Sequence, residues 1–173
     1  MITHTGLRSH AVIDSPIGPL TLAADNGQLS GLYMEIRGHE PEPASLGLPG
    51  AIEDDPALAA AAQQLTAYFA GELTSFDLPL SMAGTSFQQT VWASLRDIPY
   101  GETISYGELA RRIGQPSASR AVGLANGRNP ISIVVPCHRV VGANGSLTGY
   151  GGGLDRKRYL LALEQRVSGQ TLA

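Results

Sequence analysis

The residue best suited to covalent chemistry is Cys137, the sole cysteine of the chain. It lies between Pro136, which restricts the backbone, and His138, whose imidazole can hold or relay a proton. A thiol reacts as a nucleophile only when thiolate is available, so a nearby base or positive charge is required. Adjacent strand side chains point in opposite directions, so a direct Cys137–His138 pair requires a turn or a bridging water. Glu164, in a predicted helix, could orient the imidazole from its other side.

The residue types leave two more roles open for this cysteine. A lone cysteine is more often a small buried core residue than a nucleophile. A cysteine hydrolase built on Cys137 and His138 would turn over many times and would need an oxyanion hole. A single cysteine cannot form an internal disulfide or a cysteine-rich zinc site, and the histidines show no metal-like spacing, so we expect no bound metal.

Charge is distributed unevenly along the 173 residues. Residues 1–100 carry a net −8 and residues 101–173 a net +5. A polyanion would therefore bind the second half, although two ordinary solvated faces would give the same values. No apolar run is long enough to span a bilayer, and residues 1–4 lack the character of a signal peptide. We expect a soluble, cytoplasmic protein.

The first half predicts a small α/β domain over residues 1–80. A hairpin is indicated at Asp25-Asn26-Gly27, because Asn and Gly tolerate positive φ. Residues 38–50 are rich in Gly, Pro and Glu and predict an exposed loop. A helix is predicted over 56–70, with Asp55 as its cap and Gly71 at its end. Strands are predicted at residues 11–13, 20–23 and 29–36.

The second half, residues 81–173, predicts a mostly helical domain. Capping boxes are indicated at Ser86 and Ser105, each with Gln or Glu three residues later. Ser117 is predicted to cap a further helix that ends near Gly127. Its inward-facing residues are predicted to be Ala118, Ala121, Val122 and Ala125.

Two short helices joined by a turn containing Gly114 make a plausible helix-turn-helix, although an ordinary helical hairpin is commoner. The second helix would bear Arg120 and lie in a DNA groove. The apolar run 131–135 predicts a buried extended segment that delivers Cys137 at its end. Residues 142–153 hold six glycines, so their backbone can approach a flat ligand. A last helix is predicted over 156–166, with Leu160, Leu161 and Leu163 facing inward.

The string Pro136-Cys137-His138-Arg139-Val140 resembles the P-C-H-R-V signature of the O6-alkylguanine-DNA alkyltransferases. The resemblance is firm from about Gly84 to Glu164 and compatible upstream. Further matching segments occur in the family's order, namely Phe87-Gln88-Gln89, Ile98-Pro99-Tyr100-Gly101-Glu102, Ser105-Tyr106, Ser119-Arg120-Ala121-Val122-Gly123, Asn129-Pro130, Gly149-Tyr150-Gly151-Gly152-Gly153-Leu154 and Leu160-Leu161-Ala162-Leu163-Glu164.

The resemblance implies a fold, an activity and a partner. The first domain would have a ribonuclease-H-like strand arrangement, and the second would be helical with a helix-turn-helix. The protein would repair DNA by transferring an alkyl group once from O6 of guanine to Cys137. Its partner would be double-stranded DNA containing O6-alkylguanine, and we expect a monomer without a cofactor. The zinc found in the first domain of some members requires cysteines that this chain lacks.

The resemblance also implies residue roles in the reaction. Cys137 would accept the alkyl group, while His138, a bridging water and Glu164 would take its proton. Asn129 would brace the turn that holds the cysteine, and Tyr106 would donate a proton to the departing guanine. The backbone at Val140 and Gly151 would hold the extruded base, and the aromatic ring of Tyr150 would line its pocket.

The same resemblance assigns the DNA contacts to the second helix of the helix-turn-helix. Arg120 would enter the stack where the nucleotide has flipped out. From the residues alone, Arg120 could equally be a phosphate contact and Tyr106 a structural aromatic. A non-catalytic helix-turn-helix or damage-binding protein is the alternative, and it would survive loss of Cys137. The expected DNA-binding residues are Ser119, Arg120, Ala121, Gly123 and Arg128. The last of these adds a positive charge beside Asn129, and the family pattern gives it no role.

Overall fold

The structure, a computed structural model, describes residues 8–34, 48–50, 52–147, 150 and 153–171. The chain divides into two compact units between Met82 and Ala83. Within the described residues, no helix has the length and apolar character needed to cross a membrane.

The first unit contains a sheet of four strands, β1 (Arg8–Ile13), β2 (Leu20–Asp25), β3 (Gln28–Met34) and β4 (Leu48–Pro49). Their order is β3-β2-β1-β4, antiparallel except for the pairing of β1 with β4. Asn26 and Gly27 have φ angles of 53° and 80°, which gives the tight turn joining β2 to β3 and confirms the predicted hairpin. The loop predicted over 38–50 is wrong at its end, where β4 forms; residues 38–47 lie outside the described part.

Helix α1 (Pro56–Phe69) contacts β1, β2 and β3 and follows a short 3-10 turn, Ile52–Asp54. Asp55 caps it, as predicted, by accepting hydrogen bonds from the backbone N–H groups of Ala57 and Leu58 at 2.8 and 3.3 Å. The hydroxyl of Ser9 donates to the same carboxylate at 2.8 Å and so attaches the helix start to β1. The core of this unit is made of fully buried side chains from both layers, including Leu20, Leu22, Leu29, Leu32, Leu58, Leu65 and Tyr68.

The second unit is mostly helical, with one short two-stranded parallel sheet. Two consecutive short helices joined by a turn at Gly114, whose φ is 77°, give the predicted helix pair. Its elements are α2 (Ser86–Leu95), β5 (Ile104–Ser105), α3 (Tyr106–Arg112), α4 (Ser119–Gly127), β6 (Val140–Val141) and α5 (Leu154–Thr171). Its core includes Val91, Trp92, Leu95, Leu109, Val122, Ile131, Leu160 and Leu163.

Two of the predicted caps lie elsewhere. The capping box before α2 is formed by Thr85, not Ser86. The hydroxyl of Thr85 accepts from the N–H of Gln88, and the side-chain oxygen of Gln88 accepts from the N–H of Thr85. Helix α4 starts after Ala118, not Ser117, because a turn from Gln115 to Ala118 precedes it.

The predicted cap at Ser105 is present but is half a capping box. Its hydroxyl accepts from the N–H of Glu108 at 3.0 Å. The Glu108 carboxylate instead pairs with Arg111 and Arg112, at 2.9 and 3.2 Å. The hydroxyl alone therefore caps α3.

Candidate active site

A tight buried turn, not an extended segment, leads to Cys137. Within residues 131–135 the N–H of Val135 donates to the carbonyl of Ile131 at 3.0 Å, and Ile133 has a φ of 73°. The amide of Asn129 donates to Val135 O at 2.7 Å and accepts from the N–H of Ile131 at 3.0 Å. The predicted extended run is therefore wrong, because Asn129 takes the backbone partners that a neighbouring strand would have supplied.

Cys137 opens a one-turn 3-10 helix, Cys137–Arg139, which runs directly into β6. The carbonyl of Cys137 accepts a hydrogen bond from Asn126 at 3.4 Å. This is the turn that the adjacent cysteine and histidine require. It directs the two side chains to different neighbours, both in the interior, since Cys137 is 4% and His138 0% exposed.

The imidazole of His138 is held by a carboxylate on α5. His138 Nε2 lies 2.7 Å from Glu164 Oε2. The guanidinium of Arg139 donates to the same carboxylate through Nε at 2.8 Å and Nη2 at 3.0 Å, and its Nη1 donates to Ile98 O at 2.7 Å. The N–H of Gly101 adds a weaker bond at 3.4 Å. Glu164 is thus fixed by partners from two separate segments of the chain.

These contacts set the protonation states of the pair. Burial alone would raise the pKa of Glu164, but the hydrogen bonds and charges of His138 and Arg139 outweigh it and lower the pKa to about 2. Burial lowers the pKa of His138 below 6.5, although Glu164 opposes this shift. Glu164 is therefore ionised and His138 neutral near pH 7. The other ring nitrogen, His138 Nδ1, is buried and has no hydrogen-bond partner among the described residues.

The thiol itself rests protonated. Burial raises the pKa of Cys137, while hydrogen bonding by Asn129 and Ser132 and the charge of Lys157 partly offset that rise. Burial lowers the pKa of Lys157 in turn, and the negative charge that Cys137 carries as a thiolate raises it. A base must therefore remove the thiol proton, and Lys157 favours the anion that results.

Lys157 is a site residue that the sequence reasoning missed. Its side chain is fully buried, and Nζ donates to the carbonyl of Val140 at 2.7 Å. Two sequence features could have found it: it is the only lysine in the chain, and it precedes Glu164 by seven residues, two helical turns on the same face. Ser132 and Arg139 were likewise not given roles from the sequence.

Tyr150, which the resemblance predicts to line the pocket, interacts electrostatically with Cys137. Its hydroxyl is buried, and Lys157 Nζ is 6.0 Å from its ring centroid. Burial first, and then the charge of Cys137, raise the pKa of Tyr150 well above 10.0, so the phenol stays protonated. Val140 is buried and binds Lys157 Nζ through its carbonyl, and Gly151 lies outside the described residues.

Tyr106 is positioned by the small sheet. Strands β5 and β6 pair Ser105 with Val141, and Tyr106 follows at the start of α3. The tyrosine ring lies against α4, where an added β-carbon at Gly123 would be 3.7 Å from Cδ1. The sheet thus connects the segment after Cys137 with the segment that carries Tyr106.

Helix α4 has one buried and one exposed side. Trp92 Nε1 donates to the carbonyl of Ala125 at 2.8 Å and anchors the helix to α2. Ala121, predicted to face inward, is exposed, because Asn126 takes a buried position instead. The exposed residues of the helix and its C-cap are Ser119, Arg120, Ala121, Leu124, Gly127 and Arg128, and Gly123 is half-buried.

In the described part of the chain, no three His, Cys, Asp or Glu side chains lie together as a metal site would require. The site contains a buried thiol beside a lysine. The residue after the cysteine carries a neutral imidazole, which an ionised carboxylate holds.

Two protein-family models match the chain and together cover most of it. Residues 9–82 match the ribonuclease-like domain of 6-O-methylguanine DNA methyltransferase. Residues 86–166 match the DNA binding domain of 6-O-methylguanine DNA methyltransferase. The matches confirm the predicted order of a ribonuclease-like α/β domain and a helical domain.

Two curated relatives from different organisms carry the same name. A methylated-DNA–protein-cysteine methyltransferase of Mycolicibacterium paratuberculosis is 58% identical over 163 residues, covering 94% of this chain and 96% of the relative. One from Methanosarcina acetivorans is 54% identical over 156 residues, covering 90% and 97%.

Solved structures agree with these relatives. The Mycobacterium tuberculosis O6-methylguanine methyltransferase matches with a TM-score of 0.82 at 55% identity, covering 92% of this chain and 94% of that one. A structure of the M. tuberculosis protein in complex with DNA matches with a TM-score of 0.79 at 55% identity, with the same coverage.

Proposed function

This chain belongs to the 6-O-methylguanine DNA methyltransferase family, and from that premise we propose that Cys137 is the residue that accepts the alkyl group. The protein repairs DNA directly, by moving the alkyl group from O6 of guanine to a cysteine of its own. One observation carries the assignment to Cys137. The chain has a single cysteine, and that cysteine is buried beside Lys157 with the His138–Glu164 pair next to it.

The alternative of a non-catalytic binder is not favoured. Such a protein would have no use for a thiol placed beside a buried lysine, a protonated phenol and an oriented imidazole. The relatives at more than half identity are moreover named as methyltransferases.

In this proposal, His138 removes the thiol proton. The imidazole is neutral, and Nδ1 is the nitrogen left for the proton because Nε2 is bound to Glu164. The 3-10 turn directs the thiol and the ring to different neighbours, so one water between Sγ and Nδ1 completes the relay. The imidazolium that forms is stabilised by the ionised Glu164, which Arg139 holds in place.

Lys157 stabilises the thiolate while it forms. Its charge lowers the pKa of Cys137, against the effect of burial. Because the pair is buried, this attraction is screened less than a surface pair would be. Asn129 and Ser132 act in the same direction, since hydrogen bonding from both also lowers the pKa of Cys137.

The transfer is a single displacement at the alkyl carbon. A C–S bond forms as the C–O6 bond breaks, and the electron pair of that bond passes to the guanine. A proton delivered by Tyr106 neutralises the departing base, which leaves guanine and a thioether on Cys137. Val140 and Gly151 hold the base through their backbone atoms, and Tyr150 lines the pocket.

The O6 atom is buried inside duplex DNA, so the nucleotide must flip out before it reaches the thiol. Arg120, on the exposed side of α4, enters the stack in its place. Ser119, Ala121, Gly123 and Arg128 complete the DNA-binding surface of this helix. We place the reaction in the cytoplasm, where thiols are kept reduced.

The experiment that tests this assignment is intact-mass analysis after incubation with a duplex containing O6-methylguanine. A thioether has no leaving route comparable to that of a thioester, so each molecule reacts once and gains one methylene, about 14 Da. Peptide mapping should place the gain on Cys137, and Cys137→Ser should show no gain. Methylation at another residue would refute Cys137 as the acceptor, and guanine released in severalfold excess over protein would refute single turnover.

A further inference from the structure

A large apolar side chain stands in the middle of the exposed face of α4. Leu124 is 66% exposed, more than any other large apolar side chain that the described residues leave exposed. Arg120 precedes it by one turn, and Arg128, at the C-cap, follows it by one turn. These positions fall on one stripe of the helix, so an apolar group lies between two guanidinium groups.

The fold does not require a leucine at this position. The packing of α4 uses the opposite side, where Val122, Ala125 and Asn126 are buried and the Trp92 indole binds the Ala125 carbonyl. A polar residue at 124 would leave those contacts intact. The exposed leucine therefore indicates a contact with something outside this chain.

The charges beside Leu124 identify the partner. Within the described ranges, neither Arg120 nor Arg128 forms an ion pair, whereas Arg111 and Arg112 on α3 share Glu108. The small residues Ala121 and Gly127 lie on the same exposed side and permit close approach of a surface. A DNA groove offers this pattern, because a phosphate or the opened base stack accepts a guanidinium group and the C–H surface of deoxyribose lies between them.

We propose that Leu124 packs against the deoxyribose surface of the groove that α4 enters, while Arg120 and Arg128 contact the DNA on either side. This inference rests on the proposed function, in which α4 is the DNA-binding helix. It assigns to Leu124 a contribution to the DNA affinity that does not depend on charge. That contribution is common to damaged and undamaged duplex, because sugars carry no information about the lesion.

An apolar contact and a phosphate contact differ in their response to salt, and this difference is the test. Binding to an undamaged duplex is titrated at several salt concentrations. Leu124→Ala should weaken the affinity about fivefold, about 1 kcal/mol, at every concentration, with the slope of log K against log salt unchanged. Arg128→Gln should instead reduce the magnitude of that slope by about 0.9, the value for one lost phosphate contact.

Two further variants control this measurement. Leu124→Met keeps the apolar surface and should bind as the parent does. Val12→Ala removes apolar surface from a comparably exposed residue of β1, 58% exposed, and should also bind as the parent does. Alanine favours helix at least as well as leucine, so Leu124→Ala leaves α4 formed.

Parent-like affinity of Leu124→Ala, or a change in its salt slope like that of Arg128→Gln, would overturn the proposal. The rate of alkyl transfer from free O6-benzylguanine, which involves no duplex, should be unchanged in Leu124→Ala. An equal loss on the free base would mean that Leu124 supports the pocket or the fold, and would also overturn it. Failure of the parent itself to transfer an alkyl group to Cys137 would refute the proposed function instead, and mass analysis distinguishes that case.

Discussion

His138 Nε2 and Glu164 Oε2 lie 2.7 Å apart in the interior of the second unit, with both side chains excluded from solvent. The carboxylate stays ionised because His138 and Arg139 both bind it, and the imidazole stays neutral because burial disfavours its charge. The neutral ring can therefore accept a proton, and its orientation is fixed before it does so. Reactivity of the thiol next to it in sequence should depend on this pair more than DNA binding does.

Replacing either member should slow the chemistry selectively. His138→Ala should reduce the single-turnover rate of alkyl transfer about a hundredfold, because the base that accepts the thiol proton is lost. Glu164→Gln should give a smaller loss, because an amide orients the ring without stabilising its charge. Duplex affinity should stay near that of the parent in both. Exposed Glu102→Gln is the matched control, and parent-like rates in both site variants would show that the relay is wrong.

The second unit should become less stable in acid because Glu164 becomes protonated there. Its pKa is lowered from 4.5 to about 2 on folding, so the folded state binds fewer protons than the unfolded state in that interval. The stabilisation is full above pH 4.5 and is lost as the pH falls toward 2, with a size on the order of 3 kcal/mol. Urea unfolding from pH 6 to 2.5 measures it. Glu164→Gln should be less stable than the parent at pH 6, and the difference should shrink in acid; a difference that stays constant would contradict the assignment.

Lys157 should act on the thiol by its charge. Lys157→Met removes a cause that lowers the pKa of Cys137, so the pKa should rise further. The rate of reaction with the neutral reagent iodoacetamide should then climb at higher pH than in the parent, and alkyl transfer should slow about tenfold. Arg158→Gln, an exposed cation of the same helix that pairs with Asp155, should change neither. An unchanged pH profile in Lys157→Met would restrict the lysine to its hydrogen bond with Val140.

Arg120 should matter only when a nucleotide has to be flipped. Arg120→Ala should slow repair of duplex DNA at least about tenfold, which corresponds to about 1.4 kcal/mol. Transfer from free O6-benzylguanine should stay nearly unchanged, because that base enters the pocket directly. Arg111→Ala, which removes an exposed arginine already paired with Glu108, is the control. Equal losses on duplex and free base would place Arg120 in the pocket or the fold instead.

Interactions between residues close together in the chain can be predicted from the sequence. The cap at Asp55 and the turn at Asn26-Gly27 are each decided within four residues, and both were predicted. Thr85 and Ser86 are adjacent hydroxyl residues, and only the register of the helix decides which one meets the N–H three residues ahead. The local sequence pattern therefore predicts helix α2 but not which residue caps it.

Less of the site's geometry can be predicted from the sequence. The apolar run 131–135 indicated burial correctly but could not give dihedral angles, so the turn held by Asn129 was predicted as extended. Arg139 and Lys157 are charged residues that sequence alone would place at the surface. Their burial depends on acceptors contributed from elsewhere in the fold, Glu164 and the Val140 carbonyl. The spacing of Lys157 from Glu164 indicates a shared helix face but not these acceptors.

Ile133, in the turn that precedes the cysteine, is subject to two opposed requirements. Its φ of 73° lies in a region that disfavours β-branched residues and suits glycine. Its side chain is 1% exposed and fills the core, where glycine would leave a void. No substitution satisfies the backbone and the core together, so in a saturation library this position should tolerate few changes although its side chain takes no part in the chemistry. Selection for an active thiol would act there through backbone geometry.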